Sequence, residues 1–389
     1  MHYDFLLVGA GLTNAVIAER ISHFNLGKVL VIDKRSHIAG NCYTQNEEGI
    51  DVHRYGAHIF HTDDEEVAKY FTDHCPNCHP FINQPIAIYT DSFGVRHAYN
   101  MPFNMNTFVQ LFEGCTTPDE VADKIKAETT ACRIKHPRNL EEQAISLVGR
   151  TVYTTLIKGY TEKQWGRPCN ELPASIIKRL PIRFTFDNNY FSDKYQYMPG
   201  RGGYTAFIFD LLRQPNIEIR LNTSYKDLLN GEDTFGHVFY SGCIDELYDY
   251  ELGVLEYRSL RFDETYKYSK NYQGCPVCNY TSTDVPYTRS IEHKWFNPPE
   301  VESNFSIVSY EYPIEWKPGL EPYYPIGDVK NTELYNKYVE LHKERNGDYI
   351  TMVGRLGQYK YLDMDDSIRA SLNTFNKFFS EFFSGKLNL

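Results

Sequence analysis

Two glycines near the start of the chain have the spacing of a phosphate-binding turn. Gly9 and Gly11 follow the apolar run FLLV and precede a helical pattern, so the backbone can pass close to a pyrophosphate at a helix N-terminus. A second apolar run, VLVI, is followed by Asp33, about 20 residues past the glycines, where dinucleotide folds place the acid that binds a ribose. Asn14 stands where this fingerprint has its third small residue. The pattern predicts a dinucleotide site, and a glycine turn with a structural role only is the alternative.

The composition favours a ligand that carries rings and negative charge. The 31 tyrosines combine stacking area with a hydroxyl group, which suits binding of rings, sugars and phosphates, although core packing is the alternative for most of them. A formal net charge of -11 argues against nucleic acid or an anionic membrane as the main partner, since both select basic surfaces. An anionic substrate would therefore need a locally basic site.

The cysteines and histidines do not predict a metal centre. Nine cysteines suit a reducing compartment better than a disulfide framework. The motifs Cys75-Pro-Asn-Cys78 and Cys275-Pro-Val-Cys278 each have the spacing of half a zinc site, but they lie far apart in the sequence. His53, His58 and His61 are poorly spaced for metal ligands on one strand face. We expect unligated thiols and no bound metal.

The residues that could take part in chemistry must be positioned by more than one hydrophobic core. With 389 residues, of which 42% are hydrophobic, we expect two or three domains. The N-terminal MHYD enters the first strand directly, and no apolar run of about 18 residues occurs. These observations predict a cytoplasmic enzyme without membrane insertion.

Alternation and helix-capping signals predict the remaining elements. The alternating segment 85–100 predicts a β-hairpin. Thr117 and Asn139, each followed by acids, predict the starts of two helices in a helical block. The segment HVFYSG from His237 predicts a return to the dinucleotide sheet, and residues 255–312 alternate like antiparallel sheet.

Several long and unusual blocks occur in order over nearly the whole chain. They are YGAHIFHT from Tyr55, PFNMNTF from Pro102, NLEEQAISLVG from Asn139, IKGYTEKQWG from Ile157, ELPASIIKRLPIRFTFDNNYFSD from Glu171, VPYTRSIEHK from Val285, EPYYPI from Glu321 and GRLGQYKYLDM from Gly354. On these blocks the chain resembles the bacterial, flavin-dependent UDP-galactopyranose mutases.

The resemblance implies a mixed α/β fold. Its parts would be a Rossmann-like FAD-binding domain, a helical insertion and a twisted antiparallel β-sheet domain. The implied bounds are 1–80, 205–245 and 346–389 for the FAD-binding domain, 105–183 for the helical substrate and lid domain, and 81–104, 184–204 and 246–345 for the antiparallel sheet.

The activity implied by the resemblance is an isomerisation. The enzyme would interconvert UDP-galactopyranose and UDP-galactofuranose, with N5 of reduced FAD as the nucleophile at the anomeric carbon. NADH or NADPH would prime the flavin, and the product would supply galactofuranose for cell-surface polysaccharide such as lipopolysaccharide. The family expectation is a homodimer with a UDP-sugar substrate and no nucleic-acid partner.

The resemblance also implies roles for individual residues. Arg179 and Arg289 would bind the diphosphate, because a planar guanidinium pairs two oxygens at once and keeps its charge. His58 would lie beside flavin N5, and Trp165 on a mobile lid. The implied substrate-binding residues are Asn83, Tyr160, Trp165, Arg179, Tyr190, Asn279, Arg289, Tyr323, Tyr361 and Asp363. The implied cofactor-binding residues are Gly9, Gly11, Asn14, Asp33, Gly40, Asn41, His58, Arg355 and Met364.

Alternatives remain at this level. Packing is the alternative role for each tyrosine, an exposed strand cation for Arg289, a hydrogen-bonded sheet histidine for His58 and a helix cap for Asp363. For the whole chain, the alternatives are a sister mutase acting on UDP-N-acetylgalactosamine or a deoxysugar nucleotide, and a flavin oxidoreductase. The oxidoreductase would leave Arg179, Arg289 and the lid without a role.

Overall fold

The computed structural model describes residues 1–177, 182–229, 231–298 and 303–384. The strands are β1 (His2–Val8), β2 (Val29–Ile32), β3 (Thr44–Glu47), β4 (Ile50–His53), β5 (Phe60–Thr62), β6 (His79–Pro80), β7 (Ile86–Thr90), β8 (Arg96–Asn100), β9 (Tyr195–Met198), β10 (Ile217–Arg220), β11 (Thr234–Tyr240), β12 (Tyr257–Lys267), β13 (Val277–Tyr280), β14 (Arg289–Glu292), β15 (Ser306–Glu315), β16 (Tyr324–Pro325) and β17 (Ile350–Met352). The α-helices are α1 (Leu12–His23), α2 (Glu65–His74), α3 (Met105–Leu111), α4 (Pro118–Cys132), α5 (Leu140–Val152), α6 (Lys158–Trp165), α7 (Gly203–Leu212), α8 (Tyr225–Leu229), α9 (Ile244–Leu247), α10 (Val329–Asn346), α11 (Gly354–Gly357) and α12 (Met364–Phe383).

The chain divides into two compact units. The first unit comprises Met1–Pro80, Asp193–Ser259 and Trp316–Leu389, and the second comprises Phe81–Ser192 and Leu260–Glu315.

A parallel sheet forms the centre of the first unit. Its strand order is β10-β2-β1-β11-β17, and the paired strands run parallel. Phe5, Leu6 and Leu7 of β1 are completely buried, as expected for a parallel strand covered on both faces. Val8 lies opposite Tyr240 of β11, which confirms that HVFYSG returns to the dinucleotide sheet.

The first unit also contains stretches that were predicted as antiparallel sheet, namely 193–204, 246–259 and 316–345. Strand β9 does form, but it pairs with β5 and β6 of the first unit. The last stretch contains the 18-residue helix α10, whose N-cap Asp328 accepts a hydrogen bond from Asn331 N. The two compact units therefore divide the chain at positions other than those that the resemblance implies.

Helices and a mixed sheet form the second unit. Thr117 and Glu120 make a complete capping box at α4, and Asn139 caps α5, as predicted. The sheet runs β12-β15-β14-β13-β7-β8, with β12 belonging to this unit from Leu260 onward. The hairpin β7–β8 is confirmed. A purely antiparallel sheet was predicted, but β13 and β7 run parallel, so the sheet is mixed.

Within the described ranges, no helix is long and apolar enough to cross a membrane.

Candidate functional site

The glycine turn of the first unit brings two backbone segments together. Gly9 has a φ of +99°, and a Cβ there would lie 2.2 Å from Ser241 Oγ. A Cβ on Gly40 would lie 3.1 Å from Gly11 Cα. Gly11 caps α1 without a side-chain hydrogen bond, so the backbone N–H groups of the first turn are available to a bound anion.

Asn14, the departure from the glycine fingerprint, stabilises this turn from below. Its side chain is completely buried. Its Nδ2 donates to Val8 O and Gly9 O, both at 2.8 Å, and to Ser241 Oγ at 3.4 Å. Asn14 is not among the residues that line the adjoining cavity, which is described below. Its geometry therefore fits a role in positioning the turn rather than in contacting a cofactor.

A cavity of about 750 Å³ opens above the turn within the first unit. Apart from Asn14, every residue predicted to bind the cofactor lines it. These residues are Gly9, Gly11, Asp33, Gly40, Asn41, His58, Arg355 and Met364. Sequence positions from 9 to 364 therefore converge on one cavity.

Asp33 is held at the end of β2 by backbone donors. Its Oδ2 accepts from Ala10 N and its Oδ1 from Arg35 N, both at 2.9 Å. Each carboxylate oxygen keeps a second lone pair for a ribose hydroxyl. Arg35 also lines the cavity and forms an ion pair with Glu321. The cradle, the open helix N-terminus and this acid fit a dinucleotide cofactor such as FAD.

His58, Arg355 and Met364 line the same cavity. The His58 backbone N–H donates to His53 Nδ1 at 3.2 Å, and its own Nδ1 lies 2.9 Å from Gly56 O. If Nδ1 carries the proton donated to that carbonyl, the other ring nitrogen, Nε2, is an acceptor. Cys42 lines the same cavity, and burial raises the pKa of its thiol to about 12.

Arg355 connects two of the tyrosines predicted to bind substrate. Its guanidinium donates to Tyr323 O at 3.1 Å and to Leu362 O at 2.6 Å, and lies 5.2 Å from the ring centroid of Tyr361. Tyr361 is exposed and donates through its hydroxyl to Asp363 Oδ1 at 3.1 Å. Tyr323 is buried, and burial raises its pKa.

The second unit holds Arg289 between two oxygen-bearing side chains. Arg289 Nε donates to the Tyr160 hydroxyl at 3.0 Å and lies 3.4 Å from Glu311 Oε1. Glu311 is only 1% exposed and also accepts from Thr288 Oγ1 at 3.1 Å. Burial raises the pKa of Tyr160 to about 12, although the Arg289 charge opposes the rise. We name Arg289, Tyr160 and Glu311 the arginine cluster.

Helix α6, which carries Tyr160, is fixed closely to the segment 280–287. A Cβ on Gly159 would lie 2.3 Å from Thr281 O, so the two backbones are in contact. Lys163 Nζ donates to Tyr280 O and Tyr287 O, both at 2.9 Å. Burial lowers the pKa of Lys163 to about 8. Trp165, at the end of α6, packs against the helical core.

Two predicted asparagines lie in the same unit. Asn279 of β13 is directly opposite Arg289 of β14. Asn83 is 5% exposed, and its Oδ1 is buried without a hydrogen-bond partner in the described part of the chain. The backbone O of Asn83 accepts from Tyr190 N at 2.9 Å. Arg183 donates to Asn189 O and Tyr190 O, so it positions the segment that carries Tyr190.

The structure places two further residues at these sites, Glu311 and Ser241, which the sequence analysis did not identify. In the sequence, the only indication of a role for Glu311 is that it is an acidic residue within the strand segment SIVSYEY. Ser241, directly after β11, lines the cavity and donates to Val8 O at 2.7 Å. Arg179 lies outside the described residues.

All nine cysteines are free thiols. In the described ranges, no group of three His, Cys, Asp or Glu side chains could hold a metal ion.

Comparison with known proteins gives matches over nearly the full length. Residues 155–361 match the family model described as UDP-galactopyranose mutase, and residues 7–74 match an NAD(P)-binding Rossmann-like domain. The chain is 41% identical over 374 residues to a dTDP-fucopyranose mutase of Escherichia coli, covering 94% of this chain and 96% of that protein. It is also 41% identical over 380 residues to a probable UDP-galactopyranose mutase of Klebsiella pneumoniae, covering 97% and 95%.

Solved structures share the fold. A reduced UDP-galactopyranose mutase superposes with a TM-score of 0.74 at 14% identity, covering 98% of this chain and 94% of that one. A putrescine oxidase variant gives a TM-score of 0.58 at 12% identity, covering 98% and 99%. The fold is therefore common to a mutase and an oxidase, and the side chains must distinguish the two activities.

Proposed function

Because this chain belongs to the UDP-galactopyranose mutase family, we propose that it uses reduced FAD to interconvert UDP-galactopyranose and UDP-galactofuranose. The observation that carries the proposal is the arginine cluster, in which a guanidinium is held by a buried carboxylate. An amine oxidase reaction has no need of such a cation, whereas a diphosphate does.

FAD would be held by the glycine turn, Asp33 and the residues around His58 and Arg355. When bound and reduced, the flavin would supply a nucleophile, N5, for the anomeric carbon. The N-terminus of α1 would bind the cofactor pyrophosphate, and Asp33 a ribose hydroxyl. His58, which lines the same cavity, remains a predicted neighbour of flavin N5.

The arginine cluster would bind the substrate diphosphate. Negative charge develops there when the anomeric bond breaks, and Arg289 would stabilise it. Glu311 and Tyr160 fix Arg289 beforehand, so little reorganisation is needed during the reaction. Arg179, Tyr190, Tyr323 and Tyr361 remain predicted diphosphate ligands, and Tyr160 a predicted surface for the uracil ring.

Asn83 supports a ligand that carries hydroxyl groups. A buried oxygen without a partner costs about 1–3 kcal/mol, and a sugar hydroxyl would remove that cost. Asn279, beside Arg289, is the second predicted sugar contact. Asp363 binds Tyr361 and precedes α12, so we propose that it acts through that tyrosine.

An anaerobic assay tests the proposal. Purified protein with its flavin spectrum recorded receives UDP-galactofuranose with and without dithionite, and the nucleotide sugars are separated by chromatography. We expect UDP-galactopyranose only when the flavin is reduced. Bound flavin without isomerisation, or stoichiometric oxidation of the sugar, would contradict the proposal.

A dTDP-deoxysugar is the second candidate substrate, because the dTDP-fucopyranose mutase is as similar to this chain as the Klebsiella protein is. A competition assay with equal concentrations of UDP-galactofuranose and dTDP-fucofuranose gives the ratio of the two kcat/KM values directly. We expect UDP-galactofuranose to be consumed first, and the reverse order would assign the deoxysugar.

Three further points stay predictions of the family resemblance. They are priming by NADH or NADPH, a homodimeric assembly and the supply of galactofuranose to surface polysaccharide. Stopped-flow flavin reduction, light scattering and glycan analysis of a deletion strain measure them in turn.

A further inference from the structure

Two cysteines lie in contact at the entrance to β13. Cys275 Sγ and Cys278 Sγ are 3.5 Å apart. Cys278 is buried, whereas Cys275 is partly exposed to solvent. A disulfide needs a separation of about 2.05 Å, so a small movement of the side chains would join them. A CxxC pair that belongs to no group of three possible metal ligands among the described residues is suited to redox chemistry.

The two thiols differ in the way that thiol–disulfide exchange requires. The Cys278 thiol donates to Cys275 and thereby lowers the pKa of Cys275, although burial and the nearby Glu292 oppose this effect. The same hydrogen bond, together with burial, raises the pKa of Cys278. The more exposed sulfur is therefore the better nucleophile, and the buried one is placed to resolve a mixed disulfide.

This pair lies next to the arginine cluster. Cys278 is directly opposite Ser290 of β14, and the next pair in the register is Asn279 and Arg289. The turn before β13 is held by Gln273 Nε2, which donates to Cys275 O at 2.9 Å. Drawing the sulfur atoms together would shift this turn and the start of β13, and hence the strand beside Arg289.

We propose that Cys275 and Cys278 form a reversible dithiol–disulfide pair whose oxidation weakens nucleotide binding at Arg289. The oxidant is a low-molecular-weight disulfide such as glutathione disulfide. The Cys275 thiolate attacks one of its sulfur atoms and releases one glutathione, which leaves a mixed disulfide. Cys278 then attacks Cys275 Sγ and displaces the second glutathione. Both protein thiol protons end on glutathione, and two thiols are oxidised for each disulfide reduced.

Peptide mapping tests the chemical half of the proposal. The intact protein is incubated with glutathione disulfide, free thiols are alkylated, and the digest is analysed by mass spectrometry. We expect a bond between residues 275 and 278 that dithiothreitol reverses. Cys278→Ser should stop at a glutathione adduct on Cys275, and Cys275→Ser should form neither product. An unmodified wild-type pair would overturn the proposal.

Cys75→Ser is the matched control, because Cys75 and Cys78 share the CxxC spacing. Burial raises the pKa of both thiols of that pair. Cys75 Sγ donates to Asn77 Oδ1 at 3.5 Å. The bond between residues 275 and 278 should form equally in this variant.

Binding of UDP tests the coupling to the site, which rests on the proposed function. Calorimetry with the flavin oxidised avoids dithionite, which would disturb the thiols. We expect the Kd for UDP to rise about fivefold on oxidation of the wild type and to stay constant in Cys275→Ser. A mapped disulfide with unchanged UDP affinity would overturn the coupling. Failure of both protein forms to bind UDP would instead contradict the proposed function, while the mapping result would stand.

Discussion

The cofactor cavity of the first unit and the arginine cluster of the second are built from different groups. The cavity rests on backbone: the glycines at 9, 11 and 40 line it, and the N-terminus of α1 has no side-chain cap. The cluster rests on side chains, with Tyr160 and Glu311 holding Arg289. A backbone site is lost when a Cβ is added, whereas a side-chain site is lost when an atom is removed. The two units should therefore respond to mutation in separable ways.

Arg289→Ala tests this separation with the largest expected effect. Removing the guanidinium deletes the proposed diphosphate contact and leaves Glu311 buried without its cation, so kcat/KM should fall about 100-fold or more. Flavin content should not change, because the cavity is formed by residues of the first unit. Steady-state kinetics of the reduced enzyme and the flavin absorbance ratio measure the two quantities.

Arg289→Lys is the matched variant, since it keeps the charge but loses the planar fork. It should retain more activity than Arg289→Ala and less than the wild type. Near-normal turnover of Arg289→Ala would remove the diphosphate assignment, and loss of flavin would show that the two sites are not separable.

Gly9→Ala tests the backbone site. Alanine at a φ of +99° is strained, and its Cβ would meet Ser241 Oγ at 2.2 Å. Strain of about 1–3 kcal/mol should lower FAD affinity roughly tenfold and reduce the melting temperature. Ultrafiltration of the released flavin and a thermal melt measure both effects.

Gly49→Ala is the control for that variant. Gly49 has a similar φ of +82°, but apart from its two chain neighbours no heavy atom of the described residues lies within 4 Å of the added Cβ. It should lower stability slightly and leave FAD bound. Equal flavin loss in the two variants would mean that crowding at the turn is not the cause.

The difference between a site built from backbone and one built from side chains also explains which features could be predicted from the sequence. The turn, the β7–β8 hairpin and the caps at Thr117 and Asn139 were predictable because each signal lies within a few residues. The role of Glu311 was not predictable, because a single acid in a strand comes close to Arg289 only when β15 pairs with β14. Likewise, residues 184–204 were assigned as a whole to the antiparallel sheet domain, whereas β9 within them pairs with β5 and β6, which are far away in the sequence.

The roles of Tyr160 and its neighbours came from the family resemblance, because single residues spread from 83 to 363 carry no local pattern. What the structure adds is which of them touch. Tyr160 contacts Arg289, and Tyr361 contacts Asp363, neither of which follows from spacing.

Tyr160→Phe should have a moderate effect confined to substrate kinetics. It removes one hydrogen bond to Arg289 but keeps the ring and Glu311, so a loss of about 0.5–1.5 kcal/mol, or roughly two- to tenfold in KM, is expected. Tyr153→Phe is the control, since it removes a buried hydroxyl that bonds Glu141 at 3.2 Å instead. A larger effect in the control would indicate that helix stability, rather than the arginine cluster, determines KM.

Lys163→Met should have the smallest effect on substrate binding, because the close contact at Gly159 still fixes α6. The pH dependence of its melting temperature tests whether Lys163 is buried without its charge. Burial lowers the native pKa of Lys163 from 10.5 to about 8. Between these values the unfolded chain holds one proton more, so the contribution of Lys163 to stability is complete above 10.5 and is lost as the pH falls through about 8. The difference in melting temperature between wild type and Lys163→Met should therefore grow from pH 7.5 to pH 9.5. Lys158→Met, at an exposed position of the same helix, should show a constant difference. A difference that stays constant over this range, as in Lys158→Met, would mean that Lys163 keeps its proton in the folded protein and that burial does not lower its pKa.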